Sequence, residues 1–172
     1  MQLVTFKIGR QMYGMDIMFV QEVIVPEKIT GIPNIPNFIE GVIDLRGTVI
    51  PIVDMRKRFN TADPDPVGCV LITELAGGPA SDIPVSRGTG TSLSGAMIGL
   101  RVDQVGRVIH AEDSGMRQAP EMLSGLGARF VSAIYEMTEK QGGGHILLFD
   151  VGKLFADGEL MQLRETPGVG TS

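Results

Sequence analysis

The sequence predicts a mainly β chain: two similar small subdomains, each with many short strands and few helices. Three observations carry this. Short runs of Val, Ile, Leu, Phe and Thr recur along the chain and are bounded by Gly, Pro, Asn or Asp. The longest polar stretches are rich in Gly, Pro, Ser and Thr and read as loops. The chain also repeats itself. With Gly14 set on Gly99, GMDIMFVQEVI falls on GLRVDQVGRVI, so Ile17, Val20, Val23 and Ile24 meet Val102, Val105, Val108 and Ile109. A second echo follows in the same order, IVDMRKRF at 52–59 and LFDVGKLF at 148–155. The halves of the chain, about 1–60 and 68–155, need not be the halves in space, because strands can cross between them.

The elements follow in order. Leu3 to Ile8 is a strand, Gly9-Arg10-Gln11 a turn, and Met12 to Met15 a returning strand. Ile17, Val20, Val23 and Ile24 have helical spacing, and Asp16 can cap that turn. Pro26, Pro33 and Pro36 divide the next stretch into extended pieces. Residues 41–53 form one or two strands, with Pro51 expected at an edge or a bulge because it cannot donate to a ladder. Asp54 caps a short helix, Met55 to Phe59. Residues 60–67, NTADPDPV, compose a linker, and Val70 to Leu75 a strand. Residues 76–95 read as a long flexible loop. Removing it is expected to move the thermal unfolding midpoint by a few degrees at most; a large loss of stability contradicts that reading. Further strands are expected near 96–102, 107–111, 131–137 and 145–149, with Gly142-Gly143-Gly144 as a turn. Asp150 resembles Asp54 as a cap for Val151 to Phe155. A short helix over 157–165 and a loose tail over 166–172 complete the chain.

Composition narrows the function. The chain has 172 residues, enough for one ordinary domain or two subdomains sharing a core. Hydrophobic residues are 43% and charged residues 20%, a globular balance. The net charge of −5 and the absence of Trp speak against a nucleic-acid surface. Cys69, the single cysteine, reads as a small buried hydrophobe. The N-terminus reads as a strand with no signal peptide, and no apolar run approaches the ~20 residues of a membrane span, so a cytoplasmic protein is expected. His110 and His145 stand outside any metal-ligand spacing, and no phosphate-binding loop or nucleophile elbow occurs. No catalytic residue, metal or cofactor is expected.

What remains is GVIDLRGTVIPIVDMRKRF, residues 41–59, where Asp44 and Arg46 interrupt a run otherwise made for a core. Two readings stand for Arg46. It pairs with Asp44 two residues away on one face of a strand, or it projects from a stiff scaffold as an interface anchor.

The segments VTFKIGRQMYGMDIMFVQEVI (4–24), ITGIPNIPNFIEGVIDLRGTVIPIVDMRKRF (29–59), IGLRVDQVGRVI (98–109) and ILLFDVGKLF (146–155) together resemble the CheW family of chemotaxis coupling proteins. The resemblance spans roughly residues 3–160 as a single CheW-like domain. It implies two SH3-like five-stranded β-barrels with an apolar layer between them, and an adaptor with no catalysis. The implied partners are the regulatory domain of a CheA-type histidine kinase and the helical cytoplasmic tip of methyl-accepting chemoreceptors. No nucleic-acid binding and no direct membrane insertion are implied. By motif, Arg46, Glu22, Val20 and Gly41 are implied partner-binding positions, with Gly99, Val105 and Val108 in the matching second motif. The family commonly has Asn at the place of Asp44, and its loop at 76–95 is shorter. The alternatives are a CheW-like paralogue serving pilus motility or another chemosensory pathway, and a small β-barrel enzyme or nucleic-acid binder.

Overall fold

A computed structural model describes residues 1–26, 28–59, 68–74, 97–118 and 130–151. The expectations for 60–67, 76–95, the helices beyond Val151 and the tail at 166–172 fall outside these residues. The first five strands are β1 (Gln2–Ile8), β2 (Gln11–Asp16), β3 (Val20–Ile24), β4 (Ile39–Leu45) and β5 (Thr48–Asp54). A four-residue helix, α1 (Met55–Arg58), follows. Then come β6 (Cys69–Glu74), β7 (Met97–Val102), β8 (Gln104–His110), β9 (Met116–Gln118), β10 (Val131–Glu136) and β11 (His145–Phe149). They form two sheets, in the orders β8-β1-β2-β11-β10-β9 and β3-β6-β7-β5-β4. The first therefore has six strands where five were expected. The extra strand, β9, is only Met-Arg-Gln and carries no apolar alternation that a sequence reading can catch.

Each sheet is buried on both faces, which is why its strands read as continuous apolar runs. Along β1, Val4, Phe6 and Ile8 point into a central cluster, while Leu3 points the other way. On β5, Val53 joins the central cluster and Ile50 and Ile52 the far one. The central cluster also takes Leu71, Ile98 and Leu100 from the second sheet and Phe149 from the first, so it lies between the sheets. Asp54 caps α1 by accepting from the Arg56 backbone N–H at 3.0 Å. The helix delivers Phe59 onto Tyr13 and Phe130, with ring centroids 5.4 Å apart in both pairs. Arg58 is buried there, its guanidinium carbon 4.5 Å from the Phe38 ring centre and 4.9 Å from that of Phe130. Arg58→Ala removes this stacked, desolvated contact and is expected to cost about 2 kcal/mol, read by urea unfolding.

The two echoes of the sequence land on equivalent ladder positions. Gly14 pairs with Leu148 across the parallel β2–β11 contact, and Gly99 pairs with Ile52 across the parallel β7–β5 contact. The edge strands match as well. Val105 and Val108 of β8 oppose Phe6 and Val4, as Val20 and Val23 of β3 oppose Thr73 and Leu71. Both ladders carry a bulge at the same place, between Val4 and Phe6 and between Val20 and Glu22. The sheets do not follow the halves of the chain: β8 returns to β1, and β3 leaves β1 and β2 to pair with β6.

Two expectations need correction. The helical spacing at Ile17, Val20, Val23 and Ile24 yields only a 3-10 turn, Ile17–Phe19, capped by Asp16; Val20 onward is strand. The bulge at Gln21 is the cause. One extra residue puts Val20 and Val23 on the same face of a strand at a spacing of three, which imitates a helix. Pro51 lies inside β5, a strand paired on both sides, and not at an edge or a bulge. It opposes Val42, whose backbone N–H and C=O are both engaged with Thr30, so the Pro51 nitrogen points away from β4. The β7 ladder begins one residue later, at Ile52, and no donor is missed.

Candidate functional site

Leu45 pairs with Thr48, which leaves Arg46 and Gly47 as a two-residue hairpin loop between β4 and β5. Both have positive φ, 52° and 85°, the signature of the turn that matches strand twist. Arg46 is thus at the tip of a hairpin and not on a strand face beside Asp44. Asp44 Oδ1 accepts from the Gly47 backbone N–H at 2.8 Å and secures the turn. The arginine turns instead to β3, where its Nη2 donates to Glu22 Oε1. That hydrogen bond and the Glu22 charge push the guanidinium pKa further up, so it stays cationic at any physiological pH. The Arg46 side chain is 73% exposed and that of Glu22 29%. Strands β3 and β4 are the two outermost of their sheet, so this pair spans its opposite edges. The Thr30–Val42 bridge adds a second tie to β4.

The other implied positions scatter. The bulge at Gln21 turns Val20 and Glu22 to opposite faces, and Val20 packs half-buried on the central cluster. Val105, its equivalent, does the same from β8. Gly41 is buried, and a Cβ there would stand 2.7 Å from the Thr30 carbonyl carbon. Gly99 is buried too, and a Cβ would stand 2.8 Å from Val70 Cγ1. Neither glycine reaches the surface; both admit this chain's own packing. Val108 is exposed on β8, at the edge of the other sheet. Only Arg46 and Glu22 are brought into contact.

Val23 was passed over in the sequence. It is 45% exposed on edge strand β3, as its equivalent Val108 is 48% exposed on edge strand β8. The echo, which sets one valine on the other, was the signal available. Each sheet thus presents one edge strand with an exposed valine at the same ladder position.

The family model for the CheW-like domain matches residues 2–159. The chain belongs to the CheW family. It is 29% identical over 162 residues to the chemotaxis protein CheW of Treponema pallidum, covering 94% of this chain and 86% of that protein. It is 28% identical to the chemotaxis protein CheW of Klebsiella aerogenes, covering 92% and 84%. Among solved structures, the scaffolding protein TtCheW of Thermoanaerobacter tengcongensis matches with a TM-score of 0.72 and 29% identity, over 92% of this chain and 94% of that one. No helix among the described residues is long and apolar enough to cross a membrane.

Proposed function

We propose that this chain is a non-enzymatic adaptor of a bacterial chemosensory system. It couples the regulatory domain of a CheA-type histidine kinase to the cytoplasmic tips of chemoreceptors, working in the cytoplasm at receptor arrays. The observation that carries this reading is the hairpin at Arg46. A CheW-family chain holds an exposed guanidinium on a two-residue turn, oriented by Glu22 and standing on a sheet buried on both faces. A cation on a rigid mount is a recognition element. An adaptor also needs more than one surface, and edge strands β3 and β8 supply two of equivalent form. The kinase regulatory domain is itself CheW-like, so edge strands of like geometry are available on both sides.

Calorimetric titration with the regulatory domain of the cognate kinase tests the proposal. Micromolar binding by the wild-type chain is the expected result. No heat and no co-elution with that domain overturn the adaptor reading.

A further inference from the structure

The two sheets agree in ladder register but differ in charge at one place. Arg107 on β8 holds the position that Glu22 holds on β3, and Lys7 on β1 holds that of Glu74 on β6. The hairpin turns differ as well. Counting back from the Ile52–Leu148 correspondence, Gly142 and Gly143 stand where Arg46 and Gly47 stand. In the second sheet the Arg46 side chain crosses to Glu22. In the first sheet the turn offers no side chain, and Arg107 donates to the Gln141 carbonyl instead.

The consequence is a cleft of about 370 Å³ between β1, β8 and the β10–β11 turn. Met12, Ile109 and Met137, members of the far apolar cluster of this sheet, form its floor. Lys7, Gln104 and Arg107 are exposed at its rim. Gly106 helps to keep it open, since a Cβ there would meet Thr5 Oγ1 at 2.6 Å. No lining residue is acidic, in a chain whose net charge is −5. Among the described residues, neither Lys7 nor Arg107 has a carboxylate partner. The fold does not demand cations here, because the same positions in the other sheet are glutamates.

We infer that this cleft binds a small amphipathic anion, a carboxylate or phosphate group on a short apolar body. The head group lies between Lys7 and Arg107, where a guanidinium meets an oxyanion with charge-assisted hydrogen bonds. The apolar body covers the two methionines and Ile109. An apolar floor with a few convergent polar groups at the mouth of a β structure has the form of a ligand site.

The test is a titration of the isotope-labelled chain with octanoate, octyl phosphate and octanol, followed by NMR. Saturable shifts of the Gly106, Gly142 and Gly143 amides are expected with at least one of the two anions, and the tighter anion identifies the head group. The double substitution Lys7→Gln, Arg107→Gln is expected to weaken that binding about tenfold or more, with the other amides unmoved. If the double variant disturbs the whole spectrum, Lys7→Gln alone is read in the same way. Octanol binding as tightly as the anions, shifts scattered away from these glycines, affinity unchanged in the variant, or no saturable shift at all each overturn the inference.

Discussion

Gly41→Ala and Gly99→Ala are each expected to lower stability strongly, with Gly41→Ala the worse. At Gly41 the obstacle is the backbone of Thr30, which cannot swing aside as a side chain can. That backbone is held to β4 by two hydrogen bonds with Val42, each 2.9 Å. The φ of 154° adds strain for any residue with a Cβ. Overpacking and backbone strain together cost about 3 kcal/mol or more, a fall of roughly 6–12 °C in the unfolding midpoint for a domain of this size. At Gly99 the obstacles are the Ile52 and Val70 side chains, fully buried in the far cluster of their sheet and unable to yield without opening it. About 1–3 kcal/mol is expected there. Thermal and urea unfolding measure both. Midpoints unchanged from wild type contradict the packing described at these glycines. The result bears on function, because a binding defect in either variant is then a folding defect and does not place the glycine at an interface.

These glycines show where sequence reading reaches and where it stops. Gly41 and Gly99 stand out in their motifs, but a motif does not say which atoms crowd the missing side chain. The crowding atoms come from Thr30, Ile52 and Val70, brought close only by sheet pairing. Features set by neighbours in the chain were legible. Asp16 and Asp54 cap their turns through backbone N–H groups two residues on, and β1, β5, β6 and β11 follow their apolar patterns. The internal echo was legible too, and its equivalent ladder positions tie the two sheets together residue by residue. Arg46 was misplaced because arginine carries no turn signal of its own; only Gly47 does, and the two-residue loop needs positive φ at both. Its partner Glu22 lies 24 residues away, on a strand whose bulge disguised it as helix.

The Arg46–Glu22 pair allows the proposed function to be tested against a purely internal role. Arg46→Glu sets two carboxylates against each other at the sheet edge. Because the arginine is largely exposed and the site is open to solvent and salt, the unfolding midpoint is expected to stay within about 2 °C of wild type. Affinity for the kinase regulatory domain or the receptor tip is expected to fall about thirtyfold or more, as for an arginine at the centre of an interface. The exchange Glu22→Arg, Arg46→Glu then separates two explanations. It restores an ion pair between β3 and the hairpin with the charges reversed. If the pair only braces the hairpin, the exchanged chain regains binding. If a partner reads the cation at the tip, a carboxylate in its place is wrong whatever Glu22 becomes, and binding stays lost in a folded protein. The second outcome is expected, since the guanidinium is the more exposed member and projects beyond the sheet while the carboxylate is sheltered beside it. Binding by Arg46→Glu equal to wild type for both partners removes Arg46 from either interface.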